Sequence, residues 1–336
     1  MGITAKELAG KLNLSEAAVS LALNHKNGVS SATRSRVMEA AREYGYDFSK
    51  RKAPVHTHRT RSVCMVVYKK TGAVVNDTPF FASVTEGVSI GCRKQNCDMV
   101  VRYIYEDEQI DAQVERLNSL QLDGIILLAT EMDAAALQRF SIITCPIVLL
   151  DCYLDVLPYN CILINNIQGA YLATSYLISK RRAQPGYLRS AYRISNFDER
   201  ADGFYRAIRA HGMSTSKSVV HRLTPSQEGA YADMKELIHA GETLAKSYFA
   251  DNDLIAAGAI QAFKEAGYRI PEDIGVVGFD DMPFCEYFSP PLTTISVHKH
   301  YIGEVAAQRL VQILEDRDSV PIKVEINTTL KQRKSV

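Results

Sequence analysis

Leu14-Ser-Glu-Ala-Ala-Val-Ser-Leu-Ala-Leu-Asn24, followed by Val29-Ser30, Thr33-Arg34, Arg36-Val37, Ala40-Ala41 and Tyr44-Gly45-Tyr46, encodes two short helices. Ser15 stands where its hydroxyl can accept from the free amides of a first turn. Ala18, Val19, Ala22 and Leu23 then recur at helical spacing. The other face of that helix shows Glu16, Ala17, Ser20, Leu21 and Asn24. A second helix opens after Ser30, turns Val37, Ala40, Ala41 and Tyr44 inward and Arg34, Arg36 and Arg42 outward, and stops at Gly45. Upstream, Thr4 and Glu7 form a capping box for a helix over roughly residues 5–12, whose apolar face is Ala5, Leu8, Ala9 and Leu12. Asn13 and Leu14 allow the tight turn between the two. Residues 1–46 therefore read as a small all-α head of helix-turn-helix type.

After Tyr46 the apolar periodicity lapses. Residues 47–61 carry Lys50, Arg51, Lys52, Pro54, His56, His58, Arg59 and Arg61, too polar to hold a core and basic enough to lie along phosphates. The whole chain has a formal charge of only +1, but residues 1–61 hold eleven Lys/Arg against five Asp/Glu and the remainder 28 against 33. A basic head and linker on an acidic body is the charge pattern of a protein whose one end meets a polyanion.

From Ser62 onward short apolar runs alternate with amphipathic helices: Val63 to Tyr68, Met99 to Tyr105, Gly124 to Leu128, Ile147 to Leu150, Gly186 to Leu188, Ser247 to Phe249 and Gly275 to Phe279. Continuous apolar strands in a βαβα rhythm are the signature of parallel sheets buried on both faces. The stretch is about twice a single doubly wound unit, so two lobes are expected. A late strand, Thr293 to Val297, and a helix near Ile302 to Leu314 would carry the chain back between them. On this reading the first lobe holds about 62–162 and 293–320, and the second about 163–292 and 321–336.

Seven cysteines, an odd number with no C-x-x-C pair, argue against a disulfide framework or a zinc site and for a reducing compartment. The N-terminus lacks the pattern of a secretory signal, and no segment approaches the roughly 18 apolar residues of a membrane span, so a cytoplasmic location is expected. There is no G-x-G-x-x-G, P-loop, H-E-x-x-H or G-x-S-x-G, which speaks against an enzyme, and no cofactor is expected. His298 and His300 share a strand face but lack a third ligand.

The residues of the head closely resemble the lactose-repressor and galactose-repressor, or LacI-type, family of transcriptional regulators. The body supports the same resemblance through Pro79-Phe80-Phe81, Asp123-Gly124-Ile125-Ile126, Pro146 to Asp151, Glu199-Arg200 with Gly203-Phe204, and Asp251-Asn252-Asp253. Further on stand Ile270-Pro271-Glu272-Asp273, Val277-Gly278-Phe279-Asp280-Asp281 and Pro290-Pro291-Leu292-Thr293-Thr294. These cover nearly the whole chain in order. The resemblance implies an α/β body, two-lobed like a periplasmic binding protein, behind a helix-turn-helix head. It implies a repressor that grips double-stranded DNA at a pseudo-palindromic operator as a homodimer, under control of a sugar or sugar phosphate held between the lobes. The chain ends without a leucine heptad, which favours a dimer over a tethered tetramer.

Carried over residue by residue, Thr4, Lys6, Ser15, Ser30 and Arg34 are candidates for phosphate contact, Glu16, Ala17, Ser20, Leu21 and Asn24 for base contact, and Val55 for a minor-groove wedge. Phe80, Asp151, Arg200, Asn252 and Asp280 match effector positions. Carboxylates and amides pair with hydroxyls, arginine offers a fork of donors and an aromatic ring covers an apolar face. The chain departs from the family where Ala18-Val19-Ser20-Leu21 replaces the usual Thr-Val-Ser-Arg, and where Pro54 enters the segment that forms a hinge helix in relatives. Lys69-Lys70 stands where an aspartate is usual, at the head of a longer loop to Thr78; a basic cleft wall there would suit an acidic or phosphorylated effector, and a plain surface position is the equal alternative.

Overall fold

The computed structural model describes residues 3–23, 28–46, 60–75, 78–154, 157–316 and 319–336. Asn24, Val55 and the linker residues Lys50 to Arg59, with Pro54 among them, lie outside the described residues. The chain divides into a head, Met1–Arg59, and a body, Thr60–Val336.

The head holds three helices, α1 (Ala5–Leu12), α2 (Glu16–Leu23) and α3 (Ser31–Glu43). Their termini obey the caps read from sequence. Thr4 Oγ accepts from the Glu7 amide at 3.3 Å while the Glu7 carboxylate accepts from the Thr4 amide at 2.8 Å. Ser15 Oγ accepts from Ala18 N at 3.1 Å, and Ser30 Oγ from Thr33 N at 3.1 Å. Asn13 closes α1 in the left-handed region, φ 54°, and turns the chain into α2. Leu8, Val19, Ala22, Val37 and Ala41 are wholly buried between the helices and form a core separate from those of the body.

The body begins with β1 (Arg61–Lys69), α4 (Pro79–Lys94), β2 (Cys97–Tyr105), α5 (Ile110–Asn118), β3 (Gly124–Leu128), α6 (Ala134–Arg139), β4 (Ile147–Leu150) and β5 (Asn160–Ile164). It continues with α7 (Asn166–Arg181), β6 (Gly186–Ser190), α8 (Ser195–Ala210), β7 (Val220–Leu223), α9 (Gln227–His239), β8 (Ser247–Ala250), α10 (Asp253–Glu265) and β9 (Gly275–Asp280). The last elements are β10 (Thr293–Ser296), α11 (Lys299–Glu315), β11 (Lys323–Ile326) and β12 (Thr329–Lys331). Two six-stranded sheets result, ordered β11-β5-β4-β3-β1-β2 and β12-β10-β9-β8-β6-β7, with every pairing parallel except β10 with β12. Central strands such as β3, β4, β5 and β8 are buried along their whole length, as continuous apolar runs require when helices cover both faces.

The lobe limits drawn from sequence need correction at the C-terminal end. Thr293–Ser296, assigned above to the first lobe, pairs with β9 in the second sheet, Thr293 opposite Val277, and is buried there. Lys323–Ile326, assigned to the second, pairs with β5 in the first sheet, Lys323 opposite Cys161. The chain therefore crosses between lobes three times: from β5 to α7 at Asn165, from β10 to α11 at Val297 and His298, and from β11 to β12 at Asn327 and Thr328. The outer crossings are tied together, Asn165 Nδ2 donating to Asn327 Oδ1 at 3.0 Å and the Gln168 amide bonding both ways with Thr328. In the first lobe α4 and α11 touch backbone to backbone. A Cβ on Gly87 would lie 2.2 Å from His300 O, so the close crossing needs hydrogen at that position.

Candidate functional site

The head presents one candidate surface. Ser15, Glu16, Ala17 and Ser20 are exposed along one side of α2, Leu21 is half-buried, and Val19, Ala22 and Leu23 face the core. Lys6 and Glu16 form an exposed pair at 3.9 Å, too weak to hold either from another partner. The exposed Arg36 guanidinium donates to Leu12 O at 2.9 Å and ties α3 to the end of α1. Thr4 and Ser30 sit at helix N-termini, where amides and dipole favour an anion.

In the body, parallel strands of both sheets end at a shared cleft, and the loops beyond those ends supply its walls. Phe80 stands in the first turn of α4, and Asp151 follows the last residue of β4 at φ 61°. Arg200 lies on α8, Asn252 caps α10 with its Oδ1 accepting from Ile255 N at 2.8 Å, and Asp280 ends β9 at φ 111°. All five line one cavity. Two aspartates with positive φ at one cavity are backbone strain placed where loops must turn side chains inward.

Arg200 is the hub. Only 3% exposed, it donates from Nε to Asn166 Oδ1 at 2.9 Å, from Nη1 to the Asp251 carbonyl, and from Nη2 to Asp280 Oδ1 at 3.4 Å. Its guanidinium stacks 3.7 Å from the centre of the Phe279 ring. Asp151 joins the lobes: Thr130 Oγ1 of the first lobe donates to Oδ2 at 2.7 Å, and Asn196 Nδ2 of the second to Oδ1 at 2.8 Å.

Burial dominates the ionisation of the cleft carboxyls. Burial pushes Asp151 up to about 6, against the hydrogen bonds from Thr130 and the charge of Arg200. Burial, aided by the charge of Asp280, pushes Asp253 up to about 7, although Thr294 and the Met282 amide bond to it. Burial also raises Asp280 against the pull of Arg200 and Lys299. Asp253 presses on β9, where a Cβ on Gly278 would lie 2.2 Å from its Oδ1.

A family model described as bacterial regulatory proteins, lacI family, matches residues 4–48, and one described as a periplasmic binding protein-like domain matches residues 174–336. The chain belongs to the LacI family. It is similar to the transcriptional repressor PurR of Mannheimia succiniciproducens, 29% identical over 338 residues that cover 99% of this chain and 98% of that one. Among solved structures it resembles a complex of the transcriptional regulator CelR with cellobiose, with a TM-score of 0.74, 24% identity and coverage of 99% and 100%. It also resembles a LacI-family regulator from Enterococcus faecium with bound ribose, with a TM-score of 0.70, 25% identity and coverage of 81% and 98%. As a LacI-family chain it is a DNA-binding transcription regulator and not an enzyme. No helix among the described residues is long and apolar enough to cross a membrane.

Of the two readings of Lys69-Lys70, cleft wall or surface, the geometry favours the one outside the cavity. Neither Lys69 nor Lys70 lines the cavity that holds the five candidates. Lys69 lies over the rings of Tyr103 and Tyr105, and Lys70 pairs with Asp133 at 2.6 Å. The long loop turns back on a residue that sequence reading passed over. Glu131, 5% exposed, accepts from the amides of Lys70, Thr71 and Gly72 on one oxygen and of Val74 and Val75 on the other, at 2.7–3.0 Å. Burial raises its carboxyl, but those amides outweigh it and hold it below the ordinary value. Asn196, Thr130 and Asp253 were missed as well. Asn196 had a signal, because it precedes Arg200 by four and so shares its helix face.

Proposed function

We propose that this chain is a cytoplasmic repressor that binds a pseudo-palindromic operator as a homodimer and is controlled by a hydroxyl-rich small molecule in the interlobe cleft. The observation that carries the reading is the convergence of Phe80, Asp151, Arg200, Asn252 and Asp280 on one cavity whose two walls belong to different lobes. A ligand there touches both lobes at once and can favour one lobe arrangement, which is the only way it can shift an equilibrium. Asn196 and Asp151 already bond across the gap, so an effector that accepts from or donates to either changes the balance between arrangements. The sugars bound by the two solved relatives, cellobiose and ribose, fit a cleft of carboxylate, amide and aromatic groups.

For the head, the proposed DNA contacts are Thr4, Lys6, Ser15, Ser30 and Arg34 to phosphate and Glu16, Ala17, Ser20 and Leu21 to base edges, with Asn24 and Val55 beyond the described residues. Glu16 can accept from a cytosine amine; Leu21, in place of the usual arginine, offers only apolar contact. One head reads few base pairs, so two act together. The test is operator affinity by fluorescence anisotropy at two salt concentrations, with and without cellobiose and ribose. A protein that contacts roughly six phosphates or more loses about 10³-fold between about 50 and 200 mM salt. Binding that ignores both salt and sequence would end the proposal.

A further inference from the structure

We propose that the second lobe carries a phosphate site at the C-terminal ends of β6 and β7, outside the interlobe cleft, where Arg189, Arg193 and Arg222 hold a phosphoryl group.

The register of the sheet places two of the three. β6 and β7 run parallel at its edge with Arg189 directly opposite Arg222, so both side chains leave the same face. Arg189 is the one partly exposed position of a strand that is otherwise buried. Arg193 comes from the turn that follows β6, and the first turn of α8 brings Asp198 against it. These four line one pocket, which shares only Phe197 with the cavity of the effector candidates. The ends of parallel strands are where α/β folds take their ligands.

Like charges opposite one another on neighbouring strands are unfavourable, and something must answer them. Asp198 does so in part. Its Oδ1 accepts from Arg189 Nη2 at 2.6 Å and its Oδ2 from Arg193 Nε at 2.9 Å. It is the only carboxylate among the lining residues, so the pocket keeps two positive charges in excess. Asp251 does not make up the difference. It is wholly buried, its oxygens accept from the Tyr187 hydroxyl and the Ser190 amide, and it bonds to none of the three arginines. Arg222 is exposed and has no hydrogen-bond or ion-pair partner among the described residues, which leaves its whole fork of donors free. Arg189 and Arg193 each spend one nitrogen on Asp198 and keep the others.

Planar guanidinium forks match the oxygens of a phosphoryl group, and a dianion offsets the two charges that Asp198 leaves over. Tyr192, 36% exposed and on the pocket wall, gives the organic part of a phosphate ester a ring to lie on. Free phosphate and a phosphorylated metabolite present the same group to the arginines.

The test is calorimetric titration of the full chain with inorganic phosphate and with ribose 5-phosphate at constant ionic strength, on the wild type, Arg222→Gln, Arg193→Gln and Asp280→Asn. The wild type is expected to saturate at one phosphoryl group per chain. Arg222→Gln and Arg193→Gln are each expected to weaken binding by about tenfold or more, the usual effect of one lost charged hydrogen bond. Both positions are exposed, and either variant alone keeps the result readable if the other fails to fold. Asp280→Asn alters the cleft and is expected to leave phosphate affinity unchanged. Equal affinities for the two ligands would assign the site to free phosphate, and tighter binding of the ester would assign it to a phosphorylated metabolite; both results support the site. A wild type that shows no saturable binding would overturn the proposal, as would binding that both arginine variants leave intact. Binding that Asp280→Asn tightens by about tenfold would overturn it too, because the anion would then sit in the cleft beside that carboxylate.

Discussion

Replacing Arg200 by alanine tests whether the hub of the cleft is a ligand contact alone or also a brace. Three hydrogen bonds from a buried, charged donor are lost, and each is worth about 1.5–3 kcal/mol net when one partner is charged. The deletion also leaves the Asp280 carboxylate buried with only Lys299 nearby, and breaking one side of a buried ion pair costs about 3–5 kcal/mol. The terms overlap, because the bond to Asp280 is counted in both, and Asp280 can relieve part of the cost by taking a proton. The expected loss for Arg200→Ala is therefore about 3–5 kcal/mol, at roughly 2–4 °C per kcal/mol a fall of about 6–20 °C in the melting temperature. Its pH dependence is distinctive. Without Arg200 the Asp280 carboxyl rises further, the folded variant holds that proton to higher pH, and the deficit against wild type shrinks as the pH is lowered from 7.5 to 5. Circular-dichroism melts of wild type, Arg200→Ala and Arg200→Lys at both pH values measure this, with the lysine variant falling between the other two. An alanine variant that melts with the wild type at pH 7.5 would refute the brace, and a deficit independent of pH would refute the coupling to Asp280.

Three further outcomes are expected. The folded Asp151 carboxyl keeps its proton to about 6 while the unfolded chain releases it near 4, so this group stabilises below pH 4 and the contribution is lost as the pH rises through 6. The shift is worth roughly 2–3 kcal/mol, and Asp151→Asn should flatten the fall in stability measured by urea unfolding between pH 4.5 and 7. Glu131→Ala strands five amides of the Lys70–Val75 loop and should cost about 3–5 kcal/mol, with hydrogen exchange of those amides accelerating well before the rest of the lobe; unchanged protection would show that the loop does not depend on the carboxylate. Gly87→Ala drives a methyl into the His300 carbonyl and should cost about 1–3 kcal/mol in thermal unfolding, while an alanine accommodated without loss would mean that α4 and α11 can separate freely.

The fold was legible where burial leaves a strong imprint and silent where it does not. β1, β3, β4, β8 and β9 are covered on both faces, so every position selects an apolar residue and the strand appears as an unbroken run. β7, β11 and β12 are edge or near-edge strands with alternate or exposed positions: Val220, His221, Arg222 and Leu223 read exposed, buried, exposed, buried, too short a run to stand out from a loop. β5 escaped for another reason, since its apolar run Cys161 to Ile164 is framed by Asn160 on one side and Asn165-Asn166 on the other. Losing β5 and β11 is also what misplaced the lobe limits. Once β11 is known to extend β5, the chain must return to the first lobe before it ends in the second, and the third crossing follows.

The five cleft residues could be gathered from sequence because each sits beside a motif that marks a strand end or a helix start, and parallel strands of a doubly wound sheet deliver those ends to one edge. What such motifs cannot convey is how the side chains are spent. Arginine at 200 reads as a fork of donors for a ligand; the three-dimensional arrangement shows that each of its nitrogens already donates once, to Asn166, Asp251 and Asp280, which leaves one N–H on each Nη. Lysines at 69 and 70 read as a basic wall, yet their charge is absorbed by tyrosine rings and by Asp133, outside the cavity. Composition gives the charges near a site, whereas specificity depends on which of them remain unpaired. Asn166 adds a consequence. It is the first residue of α7, directly after the crossing at Asn165, and its Oδ1 accepts from Arg200 Nε, so a ligand that moves Arg200 pulls on a segment that joins the lobes. The cleft and the crossing are thus coupled through one hydrogen bond, and an Asn166→Ala protein should keep its ligand contacts while losing part of the link between occupancy and lobe arrangement. Small-angle scattering of that variant with and without ligand would measure the loss; a change equal to that of the wild type would place the coupling elsewhere.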